Sequence, residues 1–429
     1  MSLIRLNGSR RDRGTRVNEP TKALRRVFVD VSTIFRHDAH TGIQRVVRSV
    51  CRELTRQNSS EVDFHAVAAT KWRSYSVVET ALLPNAQDPL GPGRLRLGPG
   101  DAFLGLDLSS HLFARHESQL RRWQLAGAAI AVVVYDLLPF ARPEWFSPKT
   151  VKYFGHWLGV VARRASLVLP ISHSVQEDLA KYLTAYHGDR APQIRSRVLP
   201  LSGDIGQLNR KPARNGDPVV QAMQLRPSVL MVGTIEPRKG HSIALSAHRH
   251  AWSNQPETAP FLIIAGKPGW HTEELQAGLR NLCLERDGAI WLEEVSDARL
   301  DQLYRACRCV LVASRGEGYC LPLREALAYG KPVLARNLPV LRELHAPTVS
   351  YFTDDGPESL AKALIECVAD RTPEPTGTHA EGWEETVRVI LQALAEDERM
   401  SNRDVRPRTP FHRRVSTVAD LRHSIPEKS

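Results

Sequence analysis

The chain has 429 residues, 42% hydrophobic and 24% charged, enough for two or three domains with real cores. Those values exclude a disordered or fibrous chain. The longest apolar run, residues 126–135, is too short for the ~20 residues a membrane-spanning helix takes.

The formal charge of +11 (58 Lys and Arg against 47 Asp and Glu) is concentrated in part at the two ends. Residues 1–25 read as a disordered basic arm and 400–429 as a disordered tail. Basic ends suit contact with an anionic membrane surface. Aromatic interleaving and a nucleic-acid motif are both lacking, so nucleic acid is set aside as a partner. The first residues are polar and basic, without the apolar stretch of a signal peptide. Six cysteines, Cys51, Cys283, Cys307, Cys309, Cys320 and Cys367, show no disulfide or zinc spacing, which points to a reducing, cytoplasmic setting.

The first strand is expected at 27–31. After it, Thr41-Gly42-Ile43-Gln44-Arg45 opens a helix whose apolar residues, Ile43, Val46, Val47, Val50 and Leu54, follow helical spacing. Gly42 between strand and helix lets a ligand approach the backbone. His37, Asp38 and His40 in the intervening loop read as solvated rather than metal-binding. Strands follow at 62–68 and 102–107, joined by a long irregular connection that is a candidate for acceptor binding. Residues 129–134 form a central strand. Asp136 lies at its carboxyl end, where α/β sheets place their sites, although a turn or cap would use the same residue. A helix over 148–164, a strand over 167–171 and a helix capped by Ser172 or Ser174 come next. A strand at 197–201 closes this domain, and the breaker-rich stretch 206–227 reads as a linker.

The second half opens with a strand at 229–232, then Gly233-Thr234-Ile235-Glu236-Pro237-Arg238-Lys239-Gly240 and a helix. Adjacent cations at such a loop suit a diphosphate, Arg238 as a fork and Lys239 as a point charge; a solvated loop would look the same. Strands are expected at 261–265, 289–292, 309–313 and 333–335. Between the last two run Gly316-Glu317-Gly318-Tyr319-Cys320-Leu321-Pro322 and a helix holding Glu325, ended by Gly330. The start of that helix leaves free N–H groups for an anion. Glu317 could simply compensate the helix dipole. Glu325, among apolar neighbours, needs partners, and sugar or ribose hydroxyls are good ones. An apolar stripe of Trp383, Val387, Ile390, Leu391 and Leu394 marks a last helix.

The stretch from Glu317 to Val333 resembles the Glu-x7-Glu signature of retaining glycosyltransferases of the GT-B fold, in particular family 4. Tyr319 stands for the usual Phe and Cys320 for the second Gly. The resemblance implies that Glu325 binds the ribose of a nucleotide sugar and Glu317 the donor sugar. The backbone N–H groups of Gly318, Tyr319, Cys320 and Leu321 would face the sugar and diphosphate. The segment from Gly233 to Gly240 is similar to the family's V-G-x-x-x-P-x-K-G. Lys239 falls on its lysine, and Arg238 stands in for the arginine usual at Thr234. The Gly42 loop resembles the one that faces the donor phosphate. Tyr135-Asp136-Leu137-Leu138-Pro139 resembles H-D-L-x-P, which carries over Asp136 but leaves Tyr135 where the family has a donor-contacting histidine. Residues 265–270 resemble the family's A-G-x-x-G-W element, and Trp383 its crossover tryptophan.

The implied architecture is α/β: two Rossmann-like, doubly wound domains facing across a cleft. They are an acceptor-side domain at 26–205 and a nucleotide-sugar domain at 228–378, followed by a crossover helix at 379–399. The implied activity is transfer of a hexose or deoxyhexose, with retention, from GDP-mannose or a similar donor. The acceptor would be a saccharide or lipid-linked intermediate of surface polysaccharide, at the inner face of the plasma membrane. Asp136 and Glu317 are the expected catalytic residues. No cofactor is implied, and no metal, because the chain holds no D-x-D pair. Tyr135 motivates one alternative, a catalytically weak sugar-nucleotide-binding scaffold. A glycoside hydrolase fits poorly, since both acids lie in one loop-helix unit. An NAD-linked epimerase lacks its G-x-G-x-x-G.

Overall fold

The computed structural model describes residues 24–57, 62–83, 95–188, 194–204, 216–284, 288–353, 356–369 and 382–401. Nearly all of the basic arm and tail therefore lie outside the described residues. So do the middle of the connection proposed for the acceptor and residues 206–215 of the linker.

The first sheet holds β1 (Arg26–Asp30), β2 (Asp63–Ala68), β3 (Ser76–Val77), β4 (Asp101–Gly105), β5 (Ala129–Val134), β6 (Leu167–Pro170) and β7 (Arg195–Ser196). Their order is β3-β2-β1-β4-β5-β6-β7, parallel except for the β2–β3 pair. The second holds β8 (Ser228–Val232), β9 (Phe261–Ala265), β10 (Ala289–Leu292), β11 (Cys309–Val312), β12 (Val333–Arg336) and β13 (Val349–Phe352), all parallel, in the order β10-β9-β8-β11-β12-β13. Parallel strands covered by helices on both faces read as continuous apolar runs, and all six residues of β5 are buried. In β1, Val27 and Val29 join one core layer while Phe28 joins the other. The strand order reverses between β1 and β4 and again between β8 and β11. Loops leaving the carboxyl ends of strands at such points form ligand crevices.

The helix Trp383–Ser401 returns to the first domain. Val387, Ile390 and Leu394 complete that domain's core, and the Thr386 hydroxyl donates to the Pro200 carbonyl at 2.7 Å. Asp397 accepts from Ser166 and from Arg195, each at 2.6 Å.

Four expectations need correction. The strand expected at 197–201 is β7, two residues earlier. Arg197 and Leu199 still donate to the carbonyls of Val168 and Pro170 in β6, but the next donor in that alternation, Leu201 N, turns to the Tyr319 hydroxyl. The stretch read as linker contains the helix Pro218–Leu225, started by Asp217, whose carboxylate accepts from Val219 N at 2.9 Å and pairs with Arg299 at 2.7 Å. Edge strands β3 and β13, and the helices Ser110–Arg115, Glu117–Leu125 and Pro357–Ala369, carry too short or too mixed a pattern to have been read. Finally, Cys309 of β11 and Cys367 of the helix Pro357–Ala369 form a disulfide with Cα atoms 6.5 Å apart. Fifty-eight residues separate them, so spacing alone could not pair them, and cysteine usage does not support a reducing compartment.

Candidate active site

The loop after β8 and the loop after β11 meet at the reversal of the second sheet. Gly233 ends β8 with φ +142, a region side chains rarely adopt, and lies beside the Lys239 stem. A single 3-10 turn, Pro237–Lys239, then presents both cations. Lys239 Nζ donates to Glu317 Oε1 at 2.6 Å, and Arg238 Nη1 to Glu317 Oε2 at 3.0 Å. Arg238 also pairs with Glu236 at 2.8 Å and donates to the Gly316 carbonyl at 3.1 Å. The solvated-loop reading of these cations therefore fails. So does dipole compensation by Glu317, because the helix Leu321–Ala328 begins later, with no acid in its first turn.

Burial pushes the Glu317 carboxyl up, but Lys239 and then Arg238 outweigh it and hold it at about 2. Asp136 enters from the end of β5 in the other domain, its carboxylate accepting from Leu138 N at 3.0 Å. Burial raises its pKa; Arg238 opposes that shift and Glu317 adds to it. Glu236 is raised by burial too, against Arg238 and Lys239. Three acids from two domains thus share two cations.

Glu325 is buried inside the helix Leu321–Ala328. Its Oε2 accepts from the Tyr304 hydroxyl at 2.6 Å and its Oε1 from Arg45 Nη1. Arg45 Nη2 lies 3.3 Å from Asp297 Oδ1. Neither Arg45 nor Tyr304 was singled out from the sequence. Tyr304 hides in an apolar stripe. Arg45 ends the Thr41-to-Arg45 run that was read for its glycine. A capping box between Thr41 and Gln44 starts the helix Gly42–Arg56, and Arg45 stands on its first turn.

The glycine loop is inserted into the first domain. A Cβ on Gly318 would stand 1.9 Å from the Tyr135 carbonyl oxygen. The Ser172 hydroxyl caps its own helix through Val175 N and also donates to the Gly318 carbonyl at 2.7 Å. Tyr319 sits in the first domain's core, its hydroxyl accepting from Leu201 N at 2.9 Å and donating to Leu201 O. Its side chain is structural, which leaves only its main chain for a donor. Tyr135 is buried as well, with its hydroxyl on the Leu106 carbonyl at 2.7 Å, so its side chain does not reach the cleft. Gly42 is exposed at the junction, and a Cβ there would be 3.5 Å from Leu321 Cδ1. Val232, Lys239, Ala313, Ser314, Glu317 and Cys320 line a cavity of about 10 Å³, the size of one water site.

Cys320 has φ +66, which explains why glycine is usual at this position. Its thiol is buried in the second domain's core, and burial pushes its pKa up to about 12. Cys320→Gly is expected to be more stable than Cys320→Ala by about 1 kcal/mol, because both lose the sulfur but only glycine relieves the left-handed backbone. Chemical denaturation of the two variants checks the order.

Residues 220–385 match the model of the family described as glycosyl transferases group 1. The chain belongs to this family. Over 379 residues it is 31% identical to the serotype-specific mannosyltransferase WbdA of Escherichia coli, covering 86% of this chain and 45% of that one. It is 32% identical over 239 residues to O-antigen chain mannosyltransferase B of Escherichia coli, covering 55% and 60%. The chain therefore spans about half the length of the WbdA relatives it matches. Its two mostly parallel α/β domains form the GT-B fold of the group 1 glycosyltransferases. A solved structure of Anabaena HepE in complex with UDP superposes with a TM-score of 0.52 at 16% identity, over 88% of this chain and 98% of the other. No helix among the described residues is long and apolar enough to cross a membrane.

Proposed function

We propose that this group 1 family member is a glycosyltransferase of surface-polysaccharide biosynthesis. It would move a hexose or deoxyhexose, with retention, from a nucleotide-sugar donor of the GDP-mannose class to a saccharide or lipid-linked acceptor. The observation that carries this is Glu317, buried at the junction of the two domains and gripped by Lys239 and Arg238. Glu325 lies in the second turn of the helix that follows. The mannosyltransferase names of the relatives support the donor class.

In this reading Lys239 and Arg238 stabilise the charge that builds on the departing diphosphate. Glu317 holds the cations in place and meets the sugar, and Glu325 takes the ribose. Asp136 faces the same cluster from the acceptor side. Two fixed cations supply what a bridging metal supplies elsewhere, so the reaction is metal-independent. The basic ends would lie against an anionic membrane face.

Mixing the protein with GDP-mannose and a mannose-terminated oligosaccharide tests the reading. Product should form at a rate that EDTA changes by less than about twofold, as expected where no metal carries the leaving group. A rate abolished by EDTA and restored by Mg²⁺ would sink metal independence. The buried Tyr135 side chain favours a second reading, a scaffold that binds nucleotide sugars with little turnover. GDP-mannose that raises the unfolding temperature but is neither transferred nor hydrolysed would select it.

A further inference from the structure

Arg45 belongs to the first domain but spends its guanidinium on the second. Nη1 donates to Glu325 Oε1, and Nη2 faces Asp297. The Arg45 side chain is 15% exposed and that of Glu325 only 2%. Nε of Arg45 is buried without a hydrogen-bond partner, so the guanidinium is only partly satisfied where it lies.

The two groups on Glu325 differ in how firmly they are held. Tyr304 stacks on Tyr329 with ring centroids 5.3 Å apart and planes 8° from parallel, and the Tyr329 hydroxyl donates to Asp301 at 2.5 Å. Tyr304 therefore has little room to leave. Arg45 reaches Glu325 on a long stem from another domain and has a second carboxylate, Asp297, to keep it. The cavity beside Glu317, about 10 Å³, is far smaller than the ~300–1,000 Å³ of ordinary ligand sites. Both Glu325 oxygens already hold a donor, so a ribose hydroxyl that comes to this carboxylate must compete with Arg45 or Tyr304.

We propose that Arg45 and the ribose of the donor exchange on Glu325, which makes Arg45 a positioning residue for the nucleotide. This rests on the reading of Glu325 as the ribose ligand. A ribose hydroxyl and a guanidinium N–H are both donors, and they compete for Oε1. While paired, Arg45 holds the buried carboxylate aimed at the cleft. When the ribose arrives, the guanidinium withdraws to Asp297, which keeps it bridged to the second domain. When the pair re-forms, it helps expel the spent nucleoside diphosphate. The Arg45–Glu325 pair and nucleotide occupancy of Glu325 are therefore mutually exclusive.

The test is calorimetric titration of the full chain with guanosine and GDP, and with uridine and UDP. It compares wild type with Arg45→Met, Arg45→Lys, Glu325→Gln and the Arg45→Met/Glu325→Gln double variant. Nucleosides carry no phosphate, so they report the exchange without the loss of a cation near the diphosphate. Arg45→Met should bind the better nucleoside about tenfold tighter, a net difference of ~1.4 kcal/mol. Arg45→Lys should fall between and serves if the methionine variant does not fold. A purely structural role would weaken binding instead. In the Glu325→Gln background, Arg45→Met should change nothing. Unchanged or weaker nucleoside binding by Arg45→Met or Arg45→Lys, with Glu325→Gln binding poorly, overturns the exchange alone. Wild-type affinity in Glu325→Gln overturns the ribose assignment and the exchange with it.

Discussion

Lys239→Met should lower the rate of sugar transfer by about 10²–10³, the scale of removing one preorganised stabiliser of developing charge. It should also lower stability by about 3 kcal/mol, because Glu317 loses its nearest cation while staying buried. The two effects can be separated. In the Lys239→Met/Glu317→Gln double variant no carboxylate is left unpaired by the missing lysine. Most of the stability should return, while the transfer rate stays low. Thermal unfolding and initial rates with GDP-mannose check both halves. A double variant that recovers full activity would show that neither Lys239 nor Glu317 acts on the donor, and both roles would be lost.

Gly318→Ala is the second large effect expected. The new methyl would stand 1.9 Å from the Tyr135 carbonyl oxygen and 3.0 Å from Asp136 Cβ. The first of these is backbone at the end of a central strand, so the clash is not relieved by turning a side chain. The loop must back out of the first domain, straining the bond from Ser172 and the Tyr319 anchor on Leu201. Overpacking of this kind costs about 1–3 kcal/mol. A shift of ~1 Å at Glu317 is enough to cost about 10² in rate. A Cβ on Gly42, by contrast, would meet Leu321 at 3.5 Å, an ordinary contact. Wild-type transfer rates in Gly318→Ala would show that the loop does not need its present seat against Tyr135.

Much of this molecule is local. Strands buried on both faces must be runs of apolar residues, which is why β5 and β11 are legible as Ala-Ile-Ala-Val-Val-Val and Cys-Val-Leu-Val. Helix starts announce themselves through caps such as Thr41 and Ser172, since orphan N–H groups need a nearby oxygen. Glu317, Glu325, Arg238 and Lys239 stand out because charges placed at strand ends and helix starts break the apolar period. The GT-B pattern they resemble then told which of them belong together.

Contacts between distant parts of the chain were not legible. Arg45 meets Glu325 across 280 residues, Tyr319 meets Leu201 across 118, and Cys309 meets Cys367 across 58. No periodicity records such pairs. Tyr135 shows the same limit: its position matched a donor-contacting histidine, but the side chain turned into the core to reach Leu106. Sequence alone determined the central strands of the two sheets and four charged residues of the cleft, Glu317, Glu325, Arg238 and Lys239, because each follows from short-range patterning of apolar and polar groups. Only the tertiary structure decided which acid holds which cation. That depends on how two domains close, and ion pairs form wherever closure brings opposite charges within a few ångströms.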